Sequence, residues 1–173
     1  MELTKSLLLY MQPQTWTTDD YTNKRYSMFQ LPDYTDEYRT VYRDFSTSAH
    51  RHLTILNIKR IQHPFAFCRF CLRKQHLEDA GHAVQERREF YRLSKDVNLN
   101  RILEHNCDKR IDGCFQSAYS NNGSSKYIIV VKIIDDLNDN DSNCYPEYLI
   151  ESSLNSNNNT DLVSLLDRLN LYK

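Results

Sequence analysis

FYRLSKDVNLNRILEHNCDKRIDG, the run from Phe90 to Gly113, divides into a short apolar opening, a helix-like middle and a basic turn. Asp96 is an N-cap residue type, able to accept from the free N–H groups that begin a helix. Val97, Leu99, Ile102 and Leu103 then supply the apolar positions of a helix reaching about His105. A histidine there meets the negative end of the helix dipole, so its simplest role is structural. Lys109 and Arg110 make the turn basic, and Gly113 closes it.

Working outward, Gln85 to Glu89 reads as a charged lead-in to this run. Before it, Pro64 suits the first turn of a helix that Ala80-Gly81 would end near Asp79. His52 to Ile61 is rich in β-branched and aliphatic residues and predicts a buried strand. Arg25 to Leu31 predicts another, stopped by Pro32-Asp33. Thr35 can cap a helix whose Tyr38, Val41, Tyr42 and Phe45 share one face. Beyond Gly113, YIIVVKII (Tyr127–Ile134) and YPEYLIE (Tyr145–Glu151) predict two more strands, separated by an acidic, Asn-rich turn.

At 173 residues the chain has the length of a single domain with a real core. Three units follow from composition: a domain over 1–151, a Ser/Asn-rich linker over 152–159 and an amphipathic helix over 160–173. The formal net charge of −1 argues against nucleic acid as a partner. The basic runs Arg69–Lys74 and Arg87-Arg88 lie beside acidic residues and read as solvated helix faces. No apolar run approaches the roughly 20 residues that cross a bilayer, so no membrane is expected. With no secretory signal pattern, the five cysteines read as reduced thiols in cytoplasm or nucleus.

Glycine occurs only at Gly81, Gly113 and Gly123, which excludes the glycine-rich loops that cradle phosphates. Cys68-x-x-Cys71 lacks the second ligand pair of a structural zinc site and lies among Phe65, Phe67, Phe70 and Leu72. It reads as core, and no metal is expected. In the tail, Leu162, Leu165, Leu166 and Leu169 form one helical stripe, and Leu171 extends a spacing like that of a leucine-rich export signal. The stripe can fold onto its own domain or enter a partner's groove, an export receptor included.

Four separated stretches carry a family resemblance. MQPQTWTTDDYTNKRYSMFQLP with DEYRTVYRDF, LNIKRIQHPFAFCRFCLRK, RILEHNCDKRIDG and YPEYLI follow in order from about Trp16 to Ile150. Together they resemble the catalytic domain of the poly(ADP-ribose) polymerase superfamily, in particular the mono-ADP-ribosyltransferase branch with zinc-finger and WWE-domain members. The resemblance implies an α+β fold with a split antiparallel sheet and flanking helices, here trimmed in its C-terminal half.

The resemblance also places an NAD cleft. The family's His-Gly-Thr, which holds the nicotinamide end, falls on Arg92, Leu93 and Ser94. Its second catalytic aromatic is deleted or replaced by Phe115, its stacking tyrosine matches Tyr119, and its third catalytic position falls on Ile150. A guanidinium thus replaces the imidazole, and a branched side chain stands where the ring must approach. Removing one positioned hydrogen-bonding group from such a site costs on the order of 1–3 kcal/mol. The resulting expectation is a pseudoenzyme without cofactor, serving as a protein-interaction or regulatory module. The alternatives are an NAD-dependent mono-ADP-ribosyltransferase with a rebuilt site, and binding of RNA or a nucleotide end through Arg92, Lys109 and Arg110.

Overall fold

Residues 13–17, 25–48, 53–93, 99–105, 126–135 and 143–154 are described by the computed structural model of the chain. They form β1 (Ser27–Gln30), α1 (Asp36–Thr47), β2 (Leu53–Gln62), α2 (Pro64–Asp79), β3 (Gln85–Arg92), α3 (Leu99–His105), β4 (Tyr127–Asp135) and β5 (Asn143–Leu154). The fold is α+β. Its strands join one five-stranded sheet in the order β1-β2-β5-β4-β3, every pair antiparallel. The division of the sheet that the resemblance implied is not among what the described residues form.

Alternation along the strands assigns the two faces. Ile58, Ile128, Val130, Tyr148 and Ile150 pack with Val41 and Phe45 of α1. Ile61, Leu93, Ile129, Val131 and Leu149 pack with Ile102 and Leu103 of α3. A third cluster joins Ala66, Phe70 and Leu77 of α2 to Ile134 and Tyr145, with Trp16 and Phe67 against it. The sheet is therefore covered on both sides, by a different helix on each.

Each long helix carries its own start or stop. Thr35 has extended backbone angles and its hydroxyl oxygen accepts the Tyr38 N–H at 3.2 Å, while Asp36 and Glu37 oppose the positive end of the α1 dipole. Only Val41 and Phe45 of the predicted stripe are buried; Tyr42, on its margin, is exposed. Thr35→Ala should cost about 1 kcal/mol in urea denaturation, the usual worth of such a cap. At the end of α2, Gly81 takes φ 82°, and the Gly81 and His82 N–H groups return to the Glu78 and Leu77 carbonyls. That double closure requires a left-handed residue, which glycine supplies without a Cβ clash.

Three readings of the sequence need correction. Gln85 to Glu89 is no lead-in but the first part of β3, the strand at one edge of the sheet. Charge concentrates there because an edge strand gains from side chains that resist further pairing. Arg87 and Arg88 accordingly lie on a strand, not on a helix face. The linker also begins too early, since β5 continues through Ser152 and Ser153 to Leu154, paired with β2. Of the described helices, none is long and apolar enough to cross a membrane.

Candidate functional site

Backbone register brings two of the resemblance-derived positions into line. Arg92 pairs with Ile128, Ile128 with Ile150, and Ile150 with Ile58. Residues directly opposite one another share a sheet face, so these four form a row on the α1 side. Two strand spacings separate Arg92 from Ile150, about 10 Å. Ile150 is 0% exposed, as are Ile128 and Ile58. Arg92 is half-buried at the end of β3.

Leu93 follows Arg92 and so turns to the opposite face. It is 4% exposed, packs with Ile61, Ile102, Leu103 and Ile129, and its N–H donates to the Tyr127 carbonyl at 2.9 Å. Ser94, Lys109, Arg110, Phe115, Tyr119 and the tail leucines Leu162, Leu165, Leu166, Leu169 and Leu171 lie outside the described residues. The row therefore joins two matched positions, while the third described one belongs to the core beneath α3.

A charged groove opens a few residues further along the same face. Its volume is about 510 Å³, and Asp44, Thr47, Ser48, Glu86, Arg88 and Lys132 are among its walls. Arg88 is its centre. Its Nε and Nη2 donate to the Glu147 carboxylate at 2.7 and 3.1 Å, and its Nη1 to Asp44 at 2.8 Å. Lys132 reaches Glu86 at 3.4 Å and Glu147 at 3.7 Å, and Lys74 reaches Glu86 at 2.8 Å. Burial works against the Arg88 charge, but Glu147 and Asp44 more than offset it and raise its pKa. Burial likewise disfavours the Glu86 carboxylate, yet Lys74 and Lys132 hold it below the usual range.

The network extends under α1. The Arg88 guanidinium lies 5.6 Å from the centre of the Tyr148 ring. The Tyr148 hydroxyl donates to Glu37 at 3.1 Å, and Arg60 donates to the other Glu37 oxygen at 2.8 Å. Burial first, then the Glu147 and Glu37 charges, raise the Tyr148 pKa, so this phenol stays protonated as a donor. Glu37 and Asp44 are two turns apart, one at each end of α1, and each meets a cation of the sheet. Chemically this is a clamp: its charges are matched in pairs.

Glu147 was not singled out by its sequence, although a signal was present. Pro146 stands inside the predicted strand, and a proline in a central strand marks a bulge because it cannot donate to the ladder. Val130 pairs with Tyr148 and Val131 with Pro146, leaving Glu147 as the extra residue. The bulge re-aims Glu147 toward Arg88.

His63 is a second junction of side chains, between β2 and α2. Its Nδ1 accepts the Ala66 N–H at 3.2 Å, capping α2, which leaves the proton on Nε2 to be donated to the Leu103 carbonyl at 3.1 Å. The neutral ring thus ties α2 to α3. Burial lowers its pKa, opposed by the Leu103 carbonyl and supported by Arg25 and Arg69. Below about pH 6.5 the unfolded chain takes up a proton that the native ring resists. Stability should therefore fall as the pH drops from about 6.5 toward the native value, by at most about 1.4 kcal/mol per pH unit. Urea midpoints at about pH 7.5 and pH 5.5, on either side of the ordinary histidine value of about 6.5, should differ less for His63→Asn, whose side chain can cap without titrating.

The remaining candidates for chemistry resolve plainly. Cys68 is buried and Cys71 half-buried on α2, and burial raises the pKa of both thiols, the condition of unreactive cysteines. Among the described residues no group of three or more His, Cys, Asp or Glu side chains is placed to hold a metal ion. The chain matches no family in a scan of protein families and no curated protein.

Proposed function

We propose that the chain is a catalytically inactive ADP-ribosyltransferase-like domain, trimmed in its C-terminal half, that acts as a protein-interaction or regulatory module. The row Arg92–Ile128–Ile150–Ile58 carries this reading. A site built on the family pattern needs its first and third catalytic positions on one face, close enough to grip one ligand from two sides. The residues matched to those positions, Arg92 and Ile150, stand on one face two strands apart. Arg92 no longer offers the family's imidazole, whereas an isoleucine at position 150 is by itself compatible with mono-transfer in that branch. Ile150 is sealed among apolar neighbours, and Leu93 occupies core volume where the pattern has a glycine.

Binding rather than catalysis fits the remainder. The clamp of Glu37, Asp44, Arg60, Arg88 and Glu147, with Lys132 beside Glu147, sets each charge against an opposite one and fixes α1 rather than presenting a catalytic acid or base. The tail leucines Leu162, Leu165, Leu166, Leu169 and Leu171 are the proposed contact for a protein partner in cytoplasm or nucleus.

Incubation of the purified chain with labelled NAD tests this. The expected results are no transferred ADP-ribose and no rise in melting temperature at millimolar NAD, since a ligand bound to the native state must stabilise it. Transfer of label that Arg92→Ala abolishes, with the fold intact, would overturn the proposal.

A further inference from the structure

Tyr34 is 73% exposed, the largest value among the exposed large hydrophobic residues of those described. It lies in the turn from Pro32 to Thr35, which the Thr35 N–H closes on the Pro32 carbonyl at 3.1 Å. Around it stand Asp33, Asp36 and Glu37, and both aspartates are exposed. Among the described residues no ring contact or hydrogen bond engages its ring, whereas the hydroxyls of Tyr26, Tyr145 and Tyr148 are engaged with Asn100, the Ile61 carbonyl and Glu37. An aromatic residue held in water ahead of a helix, flanked by acid on both sides, has the makings of an enzyme-read surface.

We infer that Tyr34 is a phosphoacceptor for a tyrosine kinase that selects acidic flanks. Basic side chains of such an enzyme would pair with Asp33 and Asp36 by charge-assisted hydrogen bonds. The Tyr34 phenol oxygen attacks the γ-phosphorus of a nucleoside triphosphate. The new O–P bond forms as the bond to the β-phosphate oxygen breaks, the nucleoside diphosphate leaves, and the phenol proton passes to the kinase's base. The other exposed tyrosines among the described residues are poorer substrates. Tyr42 lies within α1 between Val41 and Arg43, and Tyr127 opens β4 directly after Lys126.

The product adds roughly two negative charges to a surface already carrying Asp33 and Asp36. Thr35 and its cap lie next in the chain, but Tyr34 is 73% exposed, so modification changes the surface and not the fold. A phosphate in this setting is read by an arginine cluster on a partner. This gives the domain a regulatory input that does not depend on the proposed kinship with ADP-ribosyltransferases.

The test uses the full chain, a tyrosine kinase of acidic preference, Mg²⁺ and ATP, with sites mapped by mass spectrometry. One phosphate on Tyr34 is expected. Tyr34→Phe should lose it without a change in melting temperature, and Asp33→Asn with Asp36→Asn should slow labelling severalfold. Comparable labelling of Tyr42 or Tyr127, absence of label on Tyr34, or a rate indifferent to the two aspartates would overturn the inference.

Discussion

Ile150→Glu is expected to unfold the domain, or to lower its stability by more than about 4 kcal/mol, the range reserved for an unpaired charge placed in a core. Ile150 is flanked in the sheet by Ile58 and Ile128 and covered by Val41 and Phe45 from α1. None of these side chains offers a hydrogen bond. A carboxyl group there must either stay protonated, at the cost of a large upward pKa shift, or draw water into the cluster. Ile150→Val, which removes a single methyl from the same place, should cost only about 1 kcal/mol. Urea denaturation followed by circular dichroism separates the two. The functional weight of this experiment lies in its other outcome. A glutamate variant with the wild-type midpoint would mean that position 150 opens to solvent, and the row from Arg92 to Ile58 could then line a cleft instead of a sealed core.

Much of the fold was legible because local pattern and tertiary role agree in these elements. Thr35 caps α1, Pro64 opens α2 and Gly81 ends it, each by a mechanism that needs only neighbouring residues. Most of β4 and the end of β2, from Ile58 to Gln62, are buried on both faces, so their aliphatic runs announce themselves. The strand that escaped notice is β3. Glu86, Arg87, Arg88 and Glu89 carry no alternation of polarity, because an edge strand exposes part of its length and uses charge against unwanted pairing. Nothing local distinguishes such a segment from a solvated loop; its identity is conferred by pairing with Ile128 to Asp135, far along the chain.

The site divides in the same way. That Arg92 and Ile150 share a face was not legible in the sequence, since their alignment depends on two successive strand registers. Leu93 turning inward was implicit in the alternation once Arg92 was given a side. The charged clamp was least visible of all. Arg88, Asp44 and Glu147 come from three elements separated by dozens of residues, and each looks ordinary in its own surroundings. Pro146 was the one local clue, and it points to the bulge rather than to the partner of Glu147.

Arg88→Ala should destabilise the domain by about 2–3 kcal/mol, less than the roughly 3–5 kcal/mol that follows removal of one member of a fully buried pair. The discount follows from exposure: the side chains of Arg88, Glu147 and Asp44 are 25%, 13% and 33% exposed, so solvent screens part of the loss. What remains after substitution is Glu147 held by the bulge, with the Lys132 ammonium at 3.7 Å. Asp44 would lose the cation that fastens the end of α1. Arg88→Lys keeps the charge but not the fork that meets Glu147 through two nitrogens, so it should recover less than half of the loss. Pairing Arg88→Ala with Asp44→Ala isolates their coupling in a double-mutant cycle, and high salt should shrink it. Hydrogen exchange should show α1 opening faster in Arg88→Ala, while the β4–β5 pairing keeps its protection. A loss below about 0.5 kcal/mol, typical of surface ion pairs, would mean that α1 rests on Val41 and Phe45 alone. In that case the clamp's charges would be free for a partner, and the groove beside Arg88 would become the first place to look for one.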